Sequence, residues 1–194
     1  MGQHIEIEFK NLLTFGEFER MKKYFHLAEA DFVSQQNHYF DTPDFDLKNQ
    51  QAALRIRQRN GIYELTLKQP AEIGLLETNL GLDAAQADEI LNGNGTVLPD
   101  SEITRVLQSI NINPSRLRLF GTLKTSRAEF EYKSGLLVLD HSSYLNQEDF
   151  EVEYEVTKKD EGQAIFLNLL NTLQIPARQT ENKIRRFFRA KFGR

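Results

Sequence analysis

Glu6, Glu8 and Lys10 occupy every second position near the start of the chain, with Ile5, Ile7 and Phe9 interleaved. In a β-strand, residues two apart share a face at a spacing of about 6.6 Å. The two acids and the lysine therefore stand on one side, and the apolar residues on the other. The same division recurs on three further segments. Arg55, Arg57 and Arg59 oppose Leu54 and Ile56; Glu64, Thr66 and Lys68 oppose Tyr63, Leu65 and Leu67; Glu151, Glu153 and Glu155 oppose Phe150, Val152, Tyr154 and Val156. A water-facing side accounts for any one such strand. It does not account for the sorting, with acids on the first and last segments and bases on the middle hairpin, because a merely soluble surface mixes signs along a strand.

Helices covering the apolar sides would turn these charges inward. Inward arginines and lysines are costly without partners, and a polyanion is the partner that suits them. A triphosphate carries about four negative charges near neutral pH, and the planar fork of arginine takes phosphate oxygens in pairs. Inward carboxylates would repel such a ligand unless a cation lies between. Mg2+ or Mn2+ fits that position, binding through one or two carboxylates plus substrate phosphates. The pattern points to metal-bridged phosphoryl chemistry. No Gly-rich phosphate loop is present, so side chains must hold the phosphates. His4, His26, His38 and His141 lie too far apart for zinc-ligand spacing.

The elements that must position these groups follow from periodicity and punctuation. His4–Lys10 reads as a strand, and Thr14-x-x-Glu17 as a capping box opening a helix that ends near His26. Strands are expected over Asn37–Asp41 and Leu54–Arg59, with the span from Thr42-Pro43 to Leu54 read as a loop. Asn60-Gly61 is the hairpin signal leading into Ile62–Gln69, which Pro70 closes. A further strand is expected over Gly74–Leu80. Asp83-x-x-Gln86 caps a helix to about Leu91 that the Asn-Gly run Asn92–Gly95 ends, and a second helix covers Ser101–Ile110. Strands are then expected over Arg116–Tyr132, Leu136–His141 and Phe150–Val156. Helices Gly162–Leu173 and Thr180–Lys191 follow, separated by Pro176. Eight strand candidates in mostly hairpin order favour an α+β fold: an eight-stranded antiparallel β-barrel with helices packed outside.

A chain of 194 residues with 40% apolar residues has material for one core, and no linker or repeat divides residues 1–194. The absence of cysteine excludes disulfide frameworks and Cys-based metal sites or nucleophiles. No secretory leader or membrane-spanning run is evident, so a cytoplasmic protein without a membrane partner is expected. A net charge of −4 argues against bulk nucleic-acid binding. The segment from Arg178 to Arg194 is an exception, with Glu181 its only acid; it reads as a solvated helix face, part of which can face an anion.

Glu6-x-Glu8-x-Lys10 resembles the ExExK signature of the CYTH-domain family, the triphosphate tunnel metalloenzymes. The resemblance continues through Tyr39-Phe40-Asp41-Thr42-Pro43, Leu54-Arg55-Ile56-Arg57, Thr66-Leu67-Lys68, Arg127, Leu139-Asp140, Glu151-Val152-Glu153 and Lys183-x-x-Arg186. It implies an eight-stranded antiparallel tunnel. It also implies that Lys10, Arg55, Arg57, Lys68, Arg127, Lys183 and Arg186 hold phosphates, and that Glu6, Glu8, Asp140, Glu151 and Glu153 hold a divalent metal or position water. The chain departs from the family pattern at Leu75, two residues before Glu77, and at Asn182-Lys183-Ile184. Lys124 and Arg127 differ in strand parity, so only a bulge would bring both inward. Glu155 shares the parity of Glu151 and Glu153, and both a site role and a place at the tunnel mouth stay open for it. Arg59 and Arg185 are expected at the rim or in solvent, Tyr39 and Phe40 in the core.

The expected activity is metal-dependent hydrolysis of inorganic triphosphate or a related organic triphosphate, with Mg2+ or Mn2+ as cofactor and Glu8, Glu153 and Lys10 as catalytic residues. Nucleic acid enters only as a 5′-triphosphate RNA substrate, and the pattern sets no oligomeric state. Two alternatives accompany it: a class IV adenylyl cyclase making cyclic AMP from ATP, and a polyphosphate-binding module without turnover.

Overall fold

Alternating apolar and polar residues are realised as eight antiparallel strands in the computed structural model, which describes residues 2–92 and 101–193. They are β1 (Gly2–Leu13), β2 (Val33–Asp41), β3 (Ala53–Arg59), β4 (Ile62–Pro70), β5 (Leu75–Leu82), β6 (Arg118–Tyr132), β7 (Gly135–Tyr144) and β8 (Gln147–Val156). The strands close into a barrel in the order β1-β5-β4-β3-β2-β6-β7-β8. The helices are α1 (Phe15–Tyr24), α2 (Asp46–Asn49), α3 (Ala84–Leu91), α4 (Glu102–Ser109), α5 (Lys159–Thr172) and α6 (Lys183–Phe192). Among the described residues no helix is long and apolar enough to cross a membrane. Two compact units are distinguished, one of Met1–Ile5 with Gln35–Leu123, the other of Glu6–Ser34 with Lys124–Arg194.

In the first unit Asn60 and Gly61 both adopt positive φ, 51° and 76°, as a two-residue hairpin turn requires. That turn fixes the β3–β4 register, pairing Leu54 with Leu67, Ile56 with Leu65 and Arg55 with Thr66. Leu54, Ile56, Leu65 and Leu67 pack with Leu47 of α2, Ala87 and Ile90 of α3, and Ile103 and Leu107 of α4. The intervening residues, Arg55, Arg57, Thr66 and Lys68, are consequently turned away from the helices. Phe40 joins this core as expected, whereas Tyr39, also buried, stands opposite Arg55 on the other face of β2.

The span after Thr42-Pro43 is not a plain loop, since it holds α2. Its first N–H groups are satisfied by a residue outside the helix: Asp41 accepts from Leu47 N at 2.9 Å, Lys48 N at 3.1 Å and Thr42 N at 2.8 Å. A cap supplied from the preceding strand leaves no local capping box to read. Gly93–Gly95 of the expected turn lie outside the described residues; Asn92 is the C-cap of α3.

In the second unit the Thr14/Glu17 capping box is present. Phe18 and Met21 of α1 join Leu137, Leu139, Val152 and Tyr154 of the β7–β8 pair and Phe166, Leu169 and Leu170 of α5 in one core. Two glycines permit this packing. A Cβ on Gly135 would lie 2.5 Å from the Glu155 carbonyl oxygen, and one on Gly162 would lie 2.5 Å from a Val156 methyl. The obstacle at Gly135 is backbone and cannot rotate aside. Gly135→Ala is therefore expected to lower unfolding free energy by about 1–3 kcal/mol, read from urea denaturation. It would also displace the strand that carries Glu155.

Arg178 is not part of a solvated face. Its guanidinium donates to both oxygens of Glu17 at 2.8 Å, and its backbone N–H donates to Asn11 Oδ1 at 2.6 Å. Glu17 also accepts from Thr14 N at 2.7 Å. Arg178 first, with Thr14, holds the Glu17 carboxyl below its ordinary value of 4.5 despite burial. A depressed carboxyl contributes stability above its unfolded pKa and loses it as pH falls through the lower folded value. Glu17→Gln is expected to cost about 1–2 kcal/mol at neutral pH. The variant's stability should also fall less steeply than wild type on acidification below pH 4.5, measured by thermal melts across pH.

Candidate functional site

β1 pairs with β8 so that Glu8 stands directly opposite Glu155, Lys10 opposite Glu153 and Leu12 opposite Glu151. β8 pairs with β7 so that Asp140 stands opposite Glu151, and β7 with β6 so that Arg127 stands opposite Asp140. Because Val152 and Tyr154 point to the helices, Glu151, Glu153 and Glu155 share the opposite face of β8. Nine sequence-predicted residues meet in this unit: register gathers Glu8, Lys10, Arg127, Asp140, Glu151 and Glu153, Glu6 lies beside Glu8, and α6 brings Lys183 and Arg186.

Two sub-clusters form. In the first, one carboxylate oxygen from each of Glu6, Glu8 and Glu155 lies within 4.8 Å of the others. Like charges directly opposite on neighbouring strands repel, and Lys10 forms an ion pair with the Glu8 member. Three partly buried carboxylates form an all-oxygen donor set suited to a hard divalent cation. This acidic cluster can coordinate a divalent metal.

The second sub-cluster is internally paired. Arg127 grips Asp140 through two hydrogen bonds, Nε to Oδ1 at 2.7 Å and Nη2 to Oδ2 at 2.6 Å, and reaches Glu153 at 2.9 Å. Lys183 Nζ lies 2.5 Å from Glu153, 2.8 Å from Asp140 and 3.1 Å from Glu151. Arg186 pairs with Glu151 and, through Nε at 2.9 Å, with Asp149. Tyr144 donates its hydroxyl to the same Asp149 oxygen at 2.6 Å. Asp140 and Glu151 are almost wholly inaccessible, at 0% and 1% exposure. Charges so placed depend on their partners.

The electrostatics divide neighbouring acids. Burial, joined by Glu153, pushes Glu151 up to about 7 even though Lys183 and Arg186 oppose it. Burial raises Glu153 too, but Lys183, Arg127 and Lys10 outweigh it and hold Glu153 well below the ordinary carboxylate value. Asp140 is likewise lowered, its burial outweighed by Arg127 and Lys183. Burial would push Lys10 down, yet Glu8, Glu153 and Glu151 bring its value above normal. Adjacent same-face carboxylates with opposed shifts are the arrangement that acid–base chemistry uses. Burial first, and then Asp149, pushes the Tyr144 hydroxyl up to about 12, so it remains a donor at neutral pH.

Arg55, Arg57 and Lys68 belong to the other unit, on the strand faces turned from its helices. There Lys68 is cross-strand partner and ion-pair partner of Glu77, which is 6% exposed and lies 3.6 Å from His4 Nε2. Lys124 is exposed, and the β6–β7 register runs unbroken from Lys124 to Tyr132. No bulge turns it to the side of Arg127. Arg185 is exposed on the far side of α6 from Lys183 and Arg186. Sequence reasoning missed Tyr144, the last residue of β7, and Asp149 of β8, although Asp149 stands two residues before Glu151 at the same parity. It left Glu155 undecided although its parity was the available signal.

Residues 4–188 match the CYTH domain family model. The chain is 48% identical over 191 residues to a Bacillus subtilis protein named "Putative triphosphatase YjbK", covering 98% of each. It is 46% identical to a Bacillus halodurans protein whose crystal structure is named as "a putative adenylate cyclase", with TM-score 0.93 over 97% of this chain and 100% of that one. A Hippeastrum structure, named as a "Putative adenylyl cyclase" with a dominant triphosphatase activity, superposes with TM-score 0.80 at 24% identity over 95% of each chain. At that identity the likeness is one of fold.

Proposed function

The chain belongs to the CYTH-domain family, and on that footing we propose that it is a metal-dependent triphosphatase acting on inorganic triphosphate or a related organic triphosphate. The observation carrying this reading is the meeting of Glu6, Glu8 and Glu155 beside a second cluster rich in lysine and arginine. The name of the B. subtilis relative agrees with it. Glu6, Glu8 and Glu155 hold the cation, for which Mg2+ or Mn2+ is the hard, oxygen-seeking choice. When bound, such a cation neutralises the carboxylates and draws charge from phosphate oxygens.

The remaining roles fall to the chain's own side chains. Lys10, Arg127 and Lys183 take phosphate oxygens and stabilise charge as the terminal phosphoryl group leaves diphosphate for water; Arg55, Arg57 and Lys68 are the phosphate-binding candidates of the other unit. Glu153, held ionised, accepts a hydrogen bond from the attacking water and orients it. Asp140 and Glu151 keep Arg127, Lys183 and Arg186 in place, and would be the further carboxylates offered to a bound cation. Residues 1–194 act as one catalytic domain in the cytoplasm.

The test is product analysis with inorganic triphosphate, ATP and thiamine triphosphate, each with Mg2+ and with Mn2+. Orthophosphate release is the predicted outcome. Cyclic AMP with diphosphate from ATP would instead support the cyclase reading, which the name of the B. halodurans relative favours. Saturable binding without product under every condition would leave a binding module.

A further inference from the structure

α6 begins without a side-chain N-cap: Asn182 makes no capping hydrogen bond. The first four N–H groups of a helix have no partner inside it, so something else must fix the first turn that carries Lys183. Arg186 is one turn further on, on the same face, and is 4% exposed. It is engaged by three acceptors at once. Nη1 donates to the Glu181 carbonyl just ahead of the helix, Nη2 to Glu151, and Nε to Asp149 at 2.9 Å. Asp149 also accepts the Tyr144 hydroxyl on the same Oδ2, at 2.6 Å. Tyr144 further packs its ring against Phe187 of α6, with centroids 5.5 Å apart. The adjoining ends of β7 and β8 thus hold α6 at two consecutive residues, Arg186 and Phe187.

We propose that Asp149, oriented by Tyr144, is a positioning residue for phosphoryl transfer. By fixing the Arg186 guanidinium it sets the rotation of α6, and thereby places Lys183 among Asp140, Glu151 and Glu153. The proposal rests on the triphosphatase reading. A lysine on an uncapped first turn has a flexible stem and strong hydration. Held 2.5–3.1 Å from three carboxylates, it is available to phosphate only while the helix keeps this rotation. Asp149 itself touches neither the Glu6, Glu8 and Glu155 cluster nor the Arg127–Asp140 pair. Its open side faces a cleft shared with Gln147 and Arg189, so its replacement leaves the packed core intact.

Four variants and one double variant test this by steady-state hydrolysis of inorganic triphosphate at a temperature well below each unfolding midpoint. Lys183→Met should lose activity. Asp149→Ala should lower kcat by about tenfold or more, the scale of lost outer-shell support, with a smaller change in KM. Asp149→Asn, which keeps an acceptor for Nε, should recover part of that loss. Tyr144→Phe, which keeps the ring on Phe187 and removes only the hydroxyl, should fall between Asp149→Asn and wild type. The double variant Asp149→Ala/Lys183→Met should be no slower than Lys183→Met alone, because Asp149 acts through the lysine. Multiplying losses, or unchanged kcat in Asp149→Ala alongside an inactive Lys183→Met, would overturn the inference and leave the triphosphatase reading standing. Full activity in Lys183→Met would remove the inference together with that assignment of the site. Should Asp149→Ala fail to fold, Asp149→Asn and Tyr144→Phe give the same comparison.

Discussion

Glu8→Gln is expected to lower triphosphate hydrolysis by about 100-fold or more, the loss that follows removal of one preorganised electrostatic group at a reacting centre. The replacement is isosteric and sits on the face of β1 turned from the core, so the fold should persist. Two effects act together. A neutral amide takes one formal charge from the carboxylate set that faces Glu155 across the strand pair. It also leaves Lys10 without its ion-pair partner. The cation concentration giving half-maximal rate should rise in the same variant. Steady-state rates across Mg2+ and Mn2+ concentrations, with circular dichroism confirming the fold, provide the check. Wild-type rates and cation dependence would remove Glu8 from the site.

Asp140→Ala should have the largest effect on stability. Asp140 is fully buried, and its two oxygens are shared between Arg127 and Lys183. Deleting it removes the two-point partner of Arg127, itself 7% exposed, and leaves that guanidinium only its single contacts with Glu153 and Glu129. Breaking a buried pair from one side costs about 3–5 kcal/mol, because it leaves a desolvated charge without compensation. Replacing both partners by apolar residues avoids that cost. The double variant Arg127→Met/Asp140→Leu should therefore be markedly more stable than Asp140→Ala, and nearly inactive. Urea denaturation of both variants, with activity measured on the double variant, separates the structural contribution of the pair from its role in the reaction. Equal destabilisation of the two variants would contradict this account of the pair.

Which parts of the molecule can be read from the sequence follows from the range of the interaction. Strand faces are local, so a period of two places Glu6, Glu8 and Lys10 opposite Ile5, Ile7 and Phe9 whatever the fold. The hairpin at Asn60-Gly61 and the caps at Thr14 and Asp83 are equally local, and each appears where residue type predicts it. Parity also separates Lys124 from Arg127 once the unbroken β6–β7 register is known. Long-range partnerships leave no such trace. The Arg178–Glu17 pair spans 161 residues, and neither member belongs to a pattern that names the other. Asp149 follows a β7–β8 turn in which Leu145 and Asn146 both take positive φ. Leucine is not a turn residue, so residue type does not mark this turn, and the alternation of Asp149 with Glu151 and Glu153 carries no sign of Arg186, 37 residues on. The α2 cap is hidden for a related reason, since Asp41 is the last residue of a strand and acts on N–H groups six and seven residues ahead.

The same distinction applies to Glu155. Parity put it on the charged face of β8 but could not say what lay across from it. The β1–β8 register supplies that, setting Glu155 against Glu8 rather than against a base. Two opposed acids with Glu6 beside them are the feature that suits a cation.

Mn2+ binding followed by electron paramagnetic resonance, on the wild-type protein and on Glu155→Gln, tests that feature without involving turnover. Saturable binding in the wild type, weakened about tenfold or more when a carboxylate ligand is neutralised, is the predicted result. Equal affinity in the two proteins, or no saturable binding in either, would contradict a cation held between Glu6, Glu8 and Glu155.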